Sequence, residues 1–185
     1  MNRVIVYDSS AHLKLRIPWM TYANLNRVSG WKVVPAKTWT GAHDGISALY
    51  KDGGYTDFDE IQFWHHGQPG FPLFGGKFDA QALLDLCTYL HDRTLVWFRA
   101  CSVFYGKEGL KFATSTADLL RCRVAGHTRV IGPLWQSGLY SVSWDRGSGR
   151  IVWDKEAHAE WTKNLSDPSA PRTIPMYQMA FPKGW

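Results

Sequence analysis

Short apolar runs rich in β-branched and aromatic residues occur at residues 3–7, 31–35, 59–67 and 94–102. They are too short for ordinary helices and unbroken enough to read as strands buried in a sheet. The segments between them carry a helical period. Residues 79–90 put Ala80, Leu83, Leu84, Cys87 and Leu90 on one face, and residues 110–120 do the same with Leu110, Phe112, Ala113, Thr116, Ala117 and Leu120. Residues 40–51 read as a further helix, and Pro18 marks the first turn of a short one over 18–28. Strand, helix and strand in alternation predict right-handed crossovers and therefore parallel neighbours.

The later part of the chain reads differently. Residues 123–132 supply the last core strand, and residues 139–153 alternate about Asp145-Arg-Gly-Ser-Gly149, a hairpin signature. Residues 157–165 read as a helix, and residues 166–185, with four prolines, as irregular chain. Glycine and proline crowd residues 67–79, which predicts a hairpin or a loop folded over the strand ends. No linker or repeat divides the 185 residues, so one domain is expected over 1–185, with 154–185 a C-terminal helix and tail packed on it.

Two of the apolar runs stop at residues that can do chemistry. Residues 59–67 end in His65-His66-Gly67, and residues 94–102 reach Cys101. In parallel strands both ends lie on one sheet edge, where open α/β sheets bind ligands. His66 there can take the Cys101 proton and later return it to a leaving group. Gly67 leaves room for a substrate carbonyl, and the backbone N–H groups of Gly67 and Cys101 form a candidate oxyanion hole. The plainer reading makes Cys101 a small core residue and His66 a loop residue. His65, His66 and His127 with Cys101 are also a conceivable zinc set, but they lack the short ligand spacing of zinc sites. No metal or cofactor is expected. His43 and Asp44 read as a loop or helix-start feature, Cys87 and Cys122 as core, and His127 as structural or as a support to the site.

Composition narrows the function classes. The three cysteines lack Cys-x-x-Cys spacing, which argues against a disulfide framework and points to a reducing compartment. The net charge is +5, yet Lys and Arg are scattered, which argues against nucleic acid as the partner. The apolar run before Asp8 is too short for a signal-peptide core, and no run of about 18 apolar residues is present. No membrane partner is expected and the location reads as cytoplasmic, with export by an unmarked route left open. Ten tryptophans imply an aromatic core or exposed anchors for a partner.

The pair Ile61-Gln-Phe-Trp-His-His-Gly67 and Leu95-Val-Trp-Phe-Arg-Ala-Cys101 resembles the caspase-like and clostripain-like cysteine peptidases and their bacterial caspase-like relatives. Over about residues 1–135 the order of elements is similar too. The resemblance implies an α/β three-layer sandwich with a mostly parallel central sheet and a C-terminal hairpin. It also implies a catalytic dyad of His66 and Cys101 and a protein or peptide substrate. Arg99-Ala-Cys101-Ser-Val departs from the caspase Gln-Ala-Cys-Arg-Gly, which favours the bacterial type or an inactive relative. An acidic residue in the specificity pocket of such enzymes accompanies cleavage after Arg or Lys. Asp8 takes that role if its strand lies beside the one leading to Cys101, and otherwise caps its turn with Ser9 and Ser10. Trp135 is the other candidate substrate contact. The rival to the peptidase is a non-catalytic module that binds a protein through Trp64, Phe71, Phe74 and Trp135.

Overall fold

The computed structural model of the protein describes residues 1–52, 57–132, 134–153, 166–183 and 185; the side chain of residue 15 is not described. The helix expected over 157–165 lies outside the described residues.

The predicted alternation is present. Strand β1 (Arg3–Asp8) leads to helix α1 (Leu13–Leu25), β2 (Lys32–Ala36), α2 (Trp39–Asp52) and β3 (Glu60–Trp64). A small hairpin follows, β4 (His66–Gln68) with β5 (Phe71–Leu73), then α3 (Ala80–Asp85) continued by a 3-10 turn, β6 (Leu95–Arg99), α4 (Gly106–Leu120) and β7 (Arg123–His127). The chain continues through β8 (Trp135–Gln136), the hairpin of β9 (Leu139–Asp145) and β10 (Arg150–Trp153), and β11 (Ile174–Pro175). Seven strands form one sheet in the order β10-β9-β7-β6-β3-β1-β2. The five strands from β2 to β7 are mutually parallel, while β9 and β10 extend the sheet antiparallel. Residues 123–127 are thus the last parallel strand, with the hairpin added outside it.

Both sheet faces are covered, which is why the parallel strands read as unbroken apolar runs. On one face Val4, Val6, Phe63, Val96, Phe98 and Val124 pack with residues of α2, α3 and α4 such as Ile46, Leu83, Phe112 and Ala117. On the other face Ile5, Tyr7 and Trp64 meet Trp19 and Ala23 of α1 together with Met176 and Met179. Leu95, Trp97, Ala125 and Leu139 pack there against Ile174. Three layers result: three helices, the sheet, and α1 with the C-terminal segment.

Several details differ from the expectation. Helix α1 starts five residues before Pro18, which sits in its interior, because the His12 side chain accepts from the Lys14 N–H and the burial of Trp19 and Ala23 holds the helix on the sheet. The helix expected over 79–90 is α only to Asp85; its N-terminus is capped by the Asp79 carboxylate, which accepts from the Gln81 and Ala82 N–H groups. Of the four aromatic residues expected at a binding surface, Trp64 and Phe74 are each 1% exposed and belong to the core, whereas Phe71 is exposed and Trp135 half-buried.

Candidate active site

Strands β3 and β6 lie side by side in register, with Trp64 opposite Arg99. Their carboxyl ends are therefore level. From them the chain passes through His65 to His66 and through Ala100 to Cys101, and both His66 and Cys101 line one cleft of about 40 Å³. Pro18 and Trp19 of α1 form one wall, Ile131 and Gly132 after β7 another, and Gln136 and Met176 a third, with His65 also at the lining.

Backbone geometry fixes the loop that carries Cys101. Ser102 adopts a left-handed conformation, φ 51°, directly after Cys101. For a residue other than glycine this conformation is unfavourable by on the order of 1 kcal/mol and persists only where surroundings impose it. They do so here through hydrogen bonds from the Ser102 N–H to the Arg129 carbonyl at 2.8 Å and from the Phe104 N–H to the His127 carbonyl at 3.0 Å. Gly67 is pressed against the same loop: an added Cβ would stand 2.7 Å from the Cys101 carbonyl oxygen, 2.9 Å from Ala100 Cβ and 3.4 Å from Cys101 N. Only glycine fits there without displacing the backbone that carries the thiol.

The two adjacent histidines have different environments. His65 is 1% exposed and packs against Phe74, Trp39 and Phe98. Its Nδ1–H donates to the His66 carbonyl at 2.6 Å, and burial pushes its pKa down to about 4, so it is a neutral part of the core at neutral pH. His66 is half-buried at the cleft with its ring edge-on to Trp19, 5.6 Å between centroids. Of the two, His66 is the more exposed at the cleft.

The Cys101 thiol donates to the Ile131 carbonyl at 3.7 Å, and burial raises its pKa above the ordinary thiol value. It rests protonated, with its hydrogen on the Ile131 carbonyl. The other cysteines are remote from the cleft lining, with Cys122 buried and pushed up to about 12 by the same desolvation.

Asp8 and Trp135 are not where their proposed roles need them. Strand β3 separates β1 from β6, so Asp8 does not adjoin the strand leading to Cys101. Its carboxylate accepts from the Ser10 N–H, the Ser10 hydroxyl and the Gly75 N–H, and it caps its own turn. The lining from β8 comes from Gln136; Trp135, half-buried, uses its carbonyl to accept from the Gly132 N–H. His127 is fully buried with Nδ1 on the Ser137 carbonyl, away from the lining. Among the described residues no group of three or more His, Cys, Asp or Glu is arranged to hold a metal ion. No described helix is long and apolar enough to cross a membrane.

Beneath the cleft lies a polar cluster that the sequence reading did not single out. The Arg99 guanidinium, 1% exposed, is sandwiched between the Trp64 and Trp97 rings at 4.7 and 4.6 Å. It donates to Gln136 Oε1, Gln62 Oε1 and the carbonyls of Met176 and Gln178. Burial lowers its pKa to about 9, still charged at neutral pH. Gln62 also donates to Glu60, whose carboxyl burial raises to about 7. The signal was in the sequence, since a lone arginine inside an apolar strand must find acceptors.

Comparisons with protein-family models, with characterised proteins and with solved structures find no match for this chain.

Proposed function

We propose that this chain is a cysteine endopeptidase of caspase-like type, with Cys101 as nucleophile and His66 as general base and acid. The observation that carries the reading is the convergence of His66 and Cys101 on one cleft at the level ends of β3 and β6, with Gly67 set against the Cys101 backbone. A mostly parallel sheet between two covering layers is compatible with a caspase-like sandwich.

Because the resting thiol is protonated, catalysis begins with a substrate in place. Cys101 Sγ leaves the Ile131 carbonyl, gives its proton to the His66 imidazole and bonds to the peptide carbonyl carbon. The N–H groups of Gly67 and Cys101 receive the oxyanion. Collapse breaks the C–N bond, and the His66 imidazolium protonates the departing amine. Water, losing a proton to His66, then attacks the thioester, and Cys101 recovers its thiol. Long contacts between such groups in an unliganded site are ordinary, and substrate tightens them.

A second reading, a non-catalytic module of the same fold, draws on one specific observation: the thiol bonds Ile131 rather than His66. Internally quenched peptides of mixed sequence separate the two. The peptidase cleaves internal bonds, as seen by mass spectrometry of the products. No cleavage of any peptide, together with iodoacetamide labelling of Cys101 no faster than that of Cys87, supports the module instead.

A further inference from the structure

Helix α1 is apolar on two sides, and the fold covers one of them. Trp19 and Ala23 are buried against the sheet. Leu13, Ile17 and Met20, spaced by four and three, form a second stripe that points outward and is exposed. The stripe widens to Leu25 in the last turn and continues to Val28 in the 3-10 turn beyond, which is 93% exposed. A helix apolar all round is normally covered all round, and here half of it has no cover within the fold. In the same layer, Tyr177 stands between the buried Met176 and Met179 and is itself 69% exposed.

Charge decides what that cover is. Between Asp8 and Asp44 the chain has no acidic residue but five Lys and Arg. By the helical period Lys14 and Arg16 flank the stripe on its two sides, and Arg27 lies at its end. All three are exposed, and among the described residues none has a carboxylate within ion-pair distance. A second copy of this chain is a poor cover, since pairing the stripe with itself brings these cations together with no acid to offset them. The stripe is also aliphatic, and leucine and valine are under-represented among the residues that anchor protein interfaces. Aliphatic side chains between flanking cations suit the boundary of headgroups and acyl chains, where Lys and Arg reach up to phosphates while the apolar side chains sink below them.

We propose that the outward face of α1, with Val28, docks this protein on the surface of a bilayer that carries anionic phospholipid. The contact lies on the membrane and needs no spanning helix, and it replaces the expectation of no membrane partner. It does not rest on the peptidase reading. Because α1 also supplies Pro18 and Trp19 to the cleft wall, a docked chain holds its cleft beside the bilayer.

The test is co-sedimentation of the full chain with vesicles of phosphatidylcholine alone or mixed with phosphatidylglycerol, at an ionic strength of about 0.15 M. Wild type should partition onto the mixed vesicles at least tenfold more strongly than onto phosphatidylcholine. Ile17→Ser, within the helix, and Val28→Ser, beyond it, should each weaken binding roughly fivefold to tenfold without changing the net charge. Lys14→Gln should weaken it about fivefold, whereas Lys111→Gln, on the helix α4 across the sheet, should leave it unchanged. Wild type that stays in solution with the mixed vesicles overturns the proposal. So does equal binding to both vesicle types, binding untouched by a folded Val28→Ser, or an equal loss in Lys111→Gln and Lys14→Gln, which reflects net charge alone. Self-association in analytical ultracentrifugation that Val28→Ser abolishes, without vesicle binding, assigns the face to a second copy and also overturns it.

Discussion

Peptide hydrolysis by Cys101→Ala is expected to fall by on the order of 10⁴-fold or more, to the background of the uncatalysed reaction, while the fold stays intact. Adding His66→Ala should lower it little further, because groups that act as one unit are lost together. His66→Ala alone should come close to the same floor, since the other described imidazole at the cleft, His65, is packed in the core with its pKa lowered to about 4 and is the weaker proton acceptor. Intact folding of both variants is checked by far-UV circular dichroism and the thermal midpoint. Turnover retained by Cys101→Ala would move the chemistry to another residue.

The largest effect on stability is expected at Arg99. Arg99→Ala strips buried partners from Gln62, Gln136 and the carbonyls of Met176 and Gln178, and it empties the space between the Trp64 and Trp97 rings. A buried ion pair can sometimes be exchanged for apolar residues at little loss, but there both partners are replaced. Here the acceptors stay behind, two of them backbone carbonyls that no side-chain change removes. Urea denaturation should show a loss of about 3–5 kcal/mol, and the thermal midpoint should fall by roughly 10 °C for a domain of this size. Arg99→Lys should recover only part, since an ammonium neither stacks between the rings nor bonds Gln136 through two nitrogens. A loss below about 1 kcal/mol in Arg99→Ala would show that the C-terminal segment does not depend on the cluster.

Much of the sheet was legible because β1, β3 and β6 are buried on both faces and their sequences carry that as unbroken apolar runs. The buried face of α4 followed from its period, and the β9–β10 hairpin from its turn residues. Helix α1 was misplaced because proline was taken for a start signal, whereas tertiary burial of Trp19 carries the helix through it. At the site, His66, Gly67 and Cys101 could be found because each ends or follows a strand, and strand ends converge in a parallel sheet. Asp8 failed for the same geometric reason: β1 ends on that edge as well, but strand order, which short apolar runs do not encode, puts β3 between it and β6. Gln136 gave no signal because the partner that orients it, Arg99, lies 37 positions away along the chain. Likewise, Trp64 and Phe74 look the same in sequence whether they anchor a partner or fill a core, and here they fill the core.

The central claim, a nucleophilic Cys101 activated by His66, is tested most directly by mapping where a peptidyl electrophile attaches. Wild type, His66→Ala and Cys101→Ala are incubated at neutral pH with a mixture of peptidyl acyloxymethyl ketones of varied terminal residue, then digested and sequenced by tandem mass spectrometry. The thiolate displaces the carboxylate leaving group, so the product is a thioether on the attacking sulfur. The account predicts a single adduct on Cys101 in wild type, formed at least a hundredfold more slowly in His66→Ala and absent from Cys101→Ala. An adduct confined to Cys87 or Cys122, or labelling of Cys101 at the same rate with and without His66, would contradict it.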